Sequence, residues 1–210
     1  MTRTVILGAD AALDAALDAA WQVACEHPGD AVRLALLTLD NFNFDLGPLL
    51  KDYPPALTRV FVALDARALN HARHQLIAQV QWAGYSLISL VSSTALVEPG
   101  VQIARNVYIG PGTSIGPGCS LGFGCWLDRR VMLERDVSLG ACVSLGSAVI
   151  LAPHVRVGLG STLSAGSLAL TGSEVGKRCE WLLGATLPRH LPDYSLYDEL
   201  MPEGARIYRY

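Results

Sequence analysis

Two side chains suited to proton transfer lie at a fixed distance from each other in the second half of this chain. His154 follows Asp136 by eighteen residues. An imidazole can accept a proton near neutral pH, and a carboxylate beside it can orient the ring and stabilise its charged form. If residues eighteen apart become neighbours in space, the pair is a candidate general base with its orienting acid.

A six-residue repeat runs through residues 91 to 181 without an insertion. Each repeat has an aliphatic residue, such as Leu133 or Leu139, and a small or β-branched residue four positions later, such as Val137 or Val143. This period fits neither a helix nor one long strand, but it fits short strands joined by identical tight corners. An ordinary sandwich would need irregularly spaced turns and is disfavoured.

Three repeats make one coil of a triangular parallel β-helix, so residues eighteen apart stack at the strand spacing of about 4.8 Å. The repeat therefore predicts that Asp136 and His154 meet at one corner. Trp181 is too large for an inward position in a narrow prism, so we expect the regular coils to end near Gly176.

The first third of the chain is a different domain, because strand-like and helix-like segments alternate there. A small parallel α/β sheet, Rossmann-like in class, is predicted for residues 1–88, the β-helix for 89–187 and a tail for 188–210. The predicted strands are 4–8, 33–39, 59–64 and 85–91, the helices are 11–25 and 66–82, and the proline-containing segment between the second and third strands is predicted as a loop.

Composition excludes several classes of function. The net charge is −3 with no basic run, so no nucleic-acid surface is predicted. No apolar run is long enough to cross a bilayer, so no membrane insertion is expected. Cys119, Cys125 and Cys179 fall in the small inward position, which suits reduced thiols and a cytoplasmic protein. No metal site is expected, because His154 is the one histidine in the prism's repeats.

The repeats and the order of the preceding segments carry a resemblance. A start of V-I-L-G-A, a V-F-V-A-L-D strand, a helix, then G-Y-S-L-I-S-L-V and the repeats resemble the sialic-acid O-acetyltransferase and UDP-amino-sugar N-acetyltransferase family of hexapeptide-repeat acyltransferases. The resemblance implies a left-handed coil, acetyl-CoA as cofactor and a sugar or amine acceptor. It also implies a homotrimer and a role in bacterial surface-polysaccharide or amino-sugar biosynthesis.

In that family the front domain holds a sugar nucleotide at a glycine-rich turn after the first strand. The matching turn here has a single glycine, Gly8, and places Asp10 where phosphate charge would lie. Asp10 is a candidate substrate contact or a helix N-cap. Asp40 and Asn41 are further candidate substrate contacts, with loop solvation as the alternative.

The family's catalytic signature is an aliphatic residue followed by Glu, His and an acid. The matching residues here are Leu133, Glu134, Arg135 and Asp136, so arginine stands where the family has its base. A guanidinium stays protonated at neutral pH and cannot accept the acceptor's proton.

The resemblance also implies roles for Pro153, Ser144 and one segment near the end of the repeats. Pro153 matches a glycine whose amide contacts the thioester carbonyl, and proline has no N–H to donate. Ser144 matches another family histidine, and the segment of Gly184, Ala185 and Thr186 matches a coenzyme A channel.

Two interpretations stay open. In the first, His154 is the replacement base, Asp136 orients it, Glu134 lies nearby and Arg135 contacts an anionic acceptor or the coenzyme. In the second, His154 is a solvated corner residue, Arg135 pairs with Glu134 or Asp136, and the protein is an inactive homologue that serves in binding or scaffolding.

Overall fold

The structure is a computed structural model that describes residues 3–8, 12, 15–16, 31–35, 44–66 and 69–207. The front domain is built on a four-stranded parallel sheet in the order β2-β1-β3-β4. Its strands are β1 (Arg3–Gly8), β2 (Ala31–Ala35), β3 (Thr58–Ala63) and β4 (Ser86–Leu87). The small parallel sheet predicted from the alternating segments is confirmed.

The helices differ in detail from the prediction. A short helix α1 (Gly47–Asp52) and a 3₁₀ turn (Pro55–Leu57) lie where only a loop was expected. Pro48 suits the first turn of α1, because its missing N–H would have no partner within the helix. Helix α2 (His71–Trp82) starts later than predicted, since Leu69 and Asn70 have left-handed backbone angles, with φ of 56° and 58°.

Some predicted segments are only partly described. Ala12, Ala15 and Ala16 are helical, whereas the rest of the predicted 11–25 helix and residues 36–39 of the second predicted strand lie outside the described residues. The predicted strand 85–91 is two strands, because β4 ends at Leu87 and the next strand begins at Leu90.

From Leu90 onward the chain winds into a triangular prism with three faces. The first face contains the strands Leu96–Val97, Ser114–Ile115, Met132–Leu133, Ile150–Leu151 and Leu168–Ala169. The second face contains Gln102–Ile103, Ser120–Leu121, Ser138–Leu139, Arg156–Val157, Glu174–Val175 and His190–Leu191. The third face contains Leu90–Val91, Tyr108–Ile109, Trp126–Leu127, Ser144–Leu145, Thr162–Leu163, Glu180–Trp181, Ser195–Tyr197 and, antiparallel at its end, Ala205–Arg206.

The register between successive coils is eighteen residues, as the repeat predicts. Ser120 lies beside Ser138 and Leu121 beside Leu139, and all three faces keep this offset as far as Trp181. The inward residues of all coils form one continuous buried core. Burying such apolar side chains stabilises the prism by about 25 cal/mol per Å² removed from water.

Coils continue past Gly176, but their regular spacing ends there as expected: Val175 pairs with Leu191 and Trp181 with Tyr197, each sixteen residues on instead of eighteen. Trp181 pairs in register with Leu163 below it and with Tyr197 above it, and only 5% of its surface is exposed. Its ring lies 5.2 Å from the Tyr197 ring. The indole lies near the end of the stack, at the level where the offset between coils falls from eighteen residues to sixteen and the Tyr197 ring packs beside it.

From Gly100 to Gly184, each corner turns through a residue with a positive φ. Between the first and second faces these residues include Gly118 (74°), Asp136 (59°), His154 (63°) and Gly172 (71°). A left-handed conformation costs a residue with a side chain roughly 1–2 kcal/mol, so glycine is the least strained choice, although other residues are tolerated.

The inward thiols are buried as predicted. Cys119, Cys125 and Cys179 are at most 1% exposed, and the four cysteines of the described residues are free. Burial raises the pKa of Cys125 to about 12. Its thiol therefore stays protonated and packs as a small apolar group. Among the described helices, none has the length and hydropathy needed to cross a membrane.

The front domain packs on the third face of the prism. Trp126 stacks on Tyr108 with 4.1 Å between ring centroids, and Phe61 from β3 lies 6.3 Å from the Trp126 ring. Ile6 and Ala63 complete this shared core. The large outward side chains of the third face are thus explained by the domain that covers them.

Candidate functional site

The predicted dyad lies at the corner between the first and second faces. His154 Nδ1 is 3.5 Å from Asp136 Oδ2, at ion-pair distance. The His154 backbone N–H donates to the carbonyl of Arg135 at 3.1 Å, which ties the two coils together at this corner. The eighteen-residue spacing therefore does bring the carboxylate to the imidazole. The side chains of His154 and Asp136 are 54% and 50% exposed, so the pair is open to a ligand.

Gly118 lies one coil below Asp136 in the same corner column. A Cβ atom at Gly118 would overlap Asp136 Oδ1. The carboxylate therefore occupies space that only glycine leaves open, with His154 on its other side. Gly118 is a positioning residue for the acid of this pair.

The neighbouring predicted residues are accessible. Glu134 and Arg135 are exposed at the same corner, and Pro153 is half-buried there. Within the part of the chain that the structure describes, Arg135 forms no ion pair with Glu134 or Asp136. The exposed guanidinium is therefore accessible to an anionic ligand.

Ser144 has a different environment from the one the resemblance implies. Its Oγ accepts a hydrogen bond from Arg73 Nη2 at 2.7 Å and donates to Asn70 Oδ1 at 2.8 Å. Asn70 Nδ2 in turn donates to Thr162 Oγ1 at 3.0 Å. We call Asn70, Arg73, Ser144 and Thr162 the interdomain clamp, because they join the start of α2 to the third face. A coenzyme contact by Ser144 remains a prediction, while its observed contacts hold the two domains together.

Arg73 is the centre of the interdomain clamp and only 1% exposed. Its Nη atoms donate to the Leu64 and Cys142 carbonyls, both at 3.2 Å, and to the oxygens of Asn70 and Ser144. Burial lowers the pKa of Arg73 from its usual value. Its Nε has no hydrogen-bond partner among the described residues. A buried charge held by neutral oxygens depends on all of these bonds.

A cavity of about 390 Å³ lies between the front domain and the third face. Asp65 and Arg73 line it from the front domain, and Trp126, Asp128 and Leu182 line it from the prism. The Asp136–His154 pair does not line this interdomain cavity. A second cavity, of about 580 Å³, lies between α2 and the first coils and contains none of the predicted site residues.

Sequence reasoning missed the interdomain cavity and the interdomain clamp. The signal for the cavity was available, since Trp126 is a large outward residue two positions before Asp128, where the corner begins. Arg73 gave no such signal, because its partners lie as many as 71 residues away.

The remaining predicted residues fall into two groups. A Cβ atom at Gly8 would overlap the Ala63 carbonyl, so this glycine allows close packing of β1 on β3. Gly184, Ala185 and Thr186 are exposed at a corner near the end of the prism, where the Gly184 N–H donates to Ser164 Oγ at 3.0 Å. Asp10, Asp40 and Asn41 lie outside the described residues.

No family model and no curated protein matches the sequence. Solved structures do match it over almost its whole length. A variant of the GDP-perosamine N-acetyltransferase from Caulobacter crescentus, in complex with CoA and GDP-perosamine, is 24% identical, with 93% of each chain covered and a TM-score of 0.78. The acetyltransferase domain of PglB from Neisseria gonorrhoeae, in complex with acetyl coenzyme A, is 18% identical, with 93% of this chain and 96% of that chain covered and a TM-score of 0.78.

A third match is WeeI from Acinetobacter baumannii, at 14% identity and a TM-score of 0.63, with 93% of this chain and 96% of that chain covered. At these identities the matches establish the fold, including the left-handed coil, and both parts of the chain are covered. The chain therefore has the fold of the hexapeptide-repeat acyltransferases, a small α/β domain followed by a left-handed parallel β-helix.

Proposed function

We propose that this protein is an acetyl-CoA-dependent acyltransferase that acts on a sugar or amine acceptor, in bacterial surface-polysaccharide or amino-sugar biosynthesis. The observation that carries the proposal is the Asp136–His154 contact at an open corner of the prism. The matched structures support it, because two were solved with CoA or acetyl coenzyme A and one of these also holds a nucleotide-linked sugar.

His154 is the general base of the proposed reaction. Because its Nδ1 faces Asp136, its Nε2 is the atom that would take the proton from the acceptor's amine or hydroxyl group. Asp136 fixes the ring orientation and stabilises the imidazolium that forms. Acetyl-CoA, when bound, supplies the acetyl group as a thioester. The proton held by His154 can then return to the departing sulfur.

The residues present fit a coenzyme in part. The exposed corner of Gly184, Ala185 and Thr186 offers a surface without bulky side chains. Arg135 is exposed and always charged, so it suits a phosphate of the coenzyme or an anionic acceptor, with Glu134 beside it. Pro153 has no N–H, so a donor to the thioester carbonyl would have to come from elsewhere.

A homotrimer is part of the proposal. The outward residues of the first face stack in one column, and four of them are large and apolar. Three of these are exposed: Leu96 (61%), Met132 (42%) and Ile150 (39%). The third face is covered by the front domain, so the first face offers the apolar surface for subunit contact. The reduced thiols of the core support a cytoplasmic location. Light scattering should give three times the mass of one chain.

A second candidate is a binding or scaffolding protein without catalysis. Two observations favour it. The side chains of His154 and Asp136 are about half exposed to solvent. Neither Arg135 nor Pro153 can perform the chemistry that the family resemblance assigns to those positions. In this case Arg135 anchors an acidic ligand and no acyl group moves.

Calorimetry with CoA and acetyl-CoA, followed by thiol-release assays on a panel of amino sugars, separates the two candidates. Replacing the base in His154→Ala should lower turnover on the order of 10²–10⁴-fold, and Asp136→Asn should lower it less. The control is His190→Ala, which removes an exposed histidine from the second face. Absence of coenzyme binding would favour the non-catalytic candidate. Equal rates for wild type and His154→Ala would eliminate the dyad.

A further inference from the structure

We propose that the protein has a second binding site, a groove beside the end of α2 that binds a medium-chain alkyl carboxylate. The alkyl chain lies on the apolar floor of the groove, and the carboxylate meets the guanidinium of Arg105. Neither Asp136 nor His154 lines this groove. The site is therefore separate from the proposed acyltransferase reaction and does not depend on it.

The groove exists because α2 packs closely on the prism and then ends beside the first coil. Along the helix the contact is tight, since a Cβ atom at Gly124 would lie 2.7 Å from Ile77 Cδ1. The helix ends at Trp82, and the chain turns at Gly84, whose φ is 88°, before it enters β4. The helix therefore leaves the outer surface of the first coil uncovered.

Two cavities together form this groove. The cavity of about 580 Å³ lies between α2 and the first coils, and a cavity of about 450 Å³ continues along the second face. Ile103 and Ala104 line both, so the two cavities are continuous. Each has a volume typical of a small-molecule site. A continuous, elongated space suits an extended chain better than a compact ligand.

The floor of the groove is apolar. Phe123 is 37% exposed there, and its ring lies 5.4 Å from the His74 ring, which supports it from the side of α2. Ser89 offers no free hydroxyl, because it donates to the Ala104 carbonyl at 2.9 Å and accepts the Val107 N–H at 3.0 Å. An alkyl chain gains free energy by leaving water for such a surface. The apolar side chains of the lining include Ile77, Leu87, Ile103, Leu121 and Phe123.

Arg105 is the one charged residue among the described residues that line the groove. Its side chain is exposed and forms no ion pair within the described part of the chain. A guanidinium matches the two oxygens of a carboxylate with paired N–H donors. An apolar groove with one cation and no carboxylate in its described lining favours an apolar chain with an anionic head over a neutral or cationic ligand.

The experiment measures the binding of octanoate, octanol and decanoate to the whole chain by ligand-observed NMR titration at low salt, below the concentrations at which these ligands aggregate. Octanoate should bind about threefold to fivefold more tightly than octanol, as an exposed ion pair predicts. Decanoate should bind about tenfold more tightly than octanoate, because two further methylene groups leave water.

Two variants locate the site. Arg105→Gln should remove the preference for octanoate over octanol but keep the gain from octanoate to decanoate. Ala104→Phe places a ring where the two cavities meet and should weaken decanoate binding by about tenfold or more. The matched control is Arg129→Gln, which removes an exposed arginine outside both cavities and should bind all three ligands as wild type does.

Absence of decanoate binding by folded wild type would overturn the proposal, as would an unchanged octanoate preference in Arg105→Gln. Binding to vesicles of phosphatidylcholine and phosphatidylglycerol without binding of free decanoate would also overturn it, because the groove would then contact a lipid surface. His154→Ala should bind decanoate as wild type does, whether or not acetyl transfer is detected. Weaker decanoate binding in His154→Ala would mean that the two sites are not separate.

Discussion

Two clusters of polar side chains on the prism differ in how far their charged groups are exposed to solvent. The interdomain clamp is buried between the front domain and the prism, and Arg73 there donates hydrogen bonds to neutral oxygens. At the other cluster, Asp136 and His154 face each other half in water. Buried hydrogen bonds are costly to break, whereas exposed ion pairs contribute between about 0 and 1 kcal/mol to stability. The first cluster therefore holds the domains together, and the second stays free to meet a ligand.

The largest effect should come from Arg73→Met. This change keeps much of the apolar stem but removes the donor that Arg73 supplies to the buried carbonyls of Leu64 and Cys142, while Ser144 still donates to Asn70. Because unsatisfied buried groups each cost about 1–3 kcal/mol, we expect the free energy of unfolding to fall by about 3 kcal/mol in urea titrations. Arg59→Met is the control, since Arg59 is exposed on β3, and it should change stability by no more than about 0.5 kcal/mol. Equal losses in both variants would show that the interdomain clamp does not hold the domains together.

An intermediate effect is expected at Gly118, on activity more than on stability. Ala at this position would displace the Asp136 carboxylate, whereas a Cβ atom at Gly100 or Gly172 meets nothing within 4 Å. All three glycines have positive φ, so all three Gly→Ala variants carry the same left-handed strain of roughly 1–2 kcal/mol. Only Gly118→Ala should reduce acetyl transfer, by about tenfold or more, because the acid that orients the base is misplaced. A similar loss of turnover in Gly172→Ala would mean that strain, not the carboxylate, is responsible.

The smallest effect concerns a carboxylate of the third face. Glu180 lies above Thr162 in the column that the front domain covers, and burial raises the pKa of its carboxyl. The folded state therefore holds the Glu180 proton more tightly than the unfolded chain does. The contribution of Glu180 to stability is fully present below the pKa of its carboxyl in the unfolded chain, about 4.3. It is lost as the pH rises through the higher pKa of the same carboxyl in the folded protein.

Glu180→Gln should accordingly gain stability relative to wild type as pH rises across this window, as urea titrations at several pH values would show. The exposed Glu98 provides the comparison, and Glu98→Gln should follow the wild-type pH profile. A flat difference between Glu180→Gln and wild type would mean that burial of Glu180 does not affect folding.

Most of the prism could be predicted from the sequence, because the six-residue period defines each short strand and corner and is repeated along the chain. The spacing of Asp136 and His154 was enough to place them together, since the register follows from the six-residue period. Trp181 indicated where the regular spacing ends, since the offset between coils falls from eighteen residues to sixteen above it.

The interdomain clamp and cavity could not be predicted in the same way. Arg73 lies on α2, and nothing in its neighbourhood indicates a partner in the middle coils of the prism. Such contacts depend on how two domains dock, which no local period encodes. The short helix α1 was missed for a simpler reason, because Pro48 was taken as a loop signal although proline is also favoured in a first helical turn.

The left-handed conformation of the corner residues affects how this fold could gain or move a functional side chain. Equivalent corner positions on four successive coils all have φ between 59° and 74°: Gly118, Asp136, His154 and Gly172. A single substitution can thus place a reactive side chain at the equivalent corner of the next coil. The conformational cost is modest, and the surrounding backbone need not change. Equivalent corner positions can therefore carry different functional side chains. A histidine at Gly172 would add a third polar side chain above Asp136 and His154 in the same corner column.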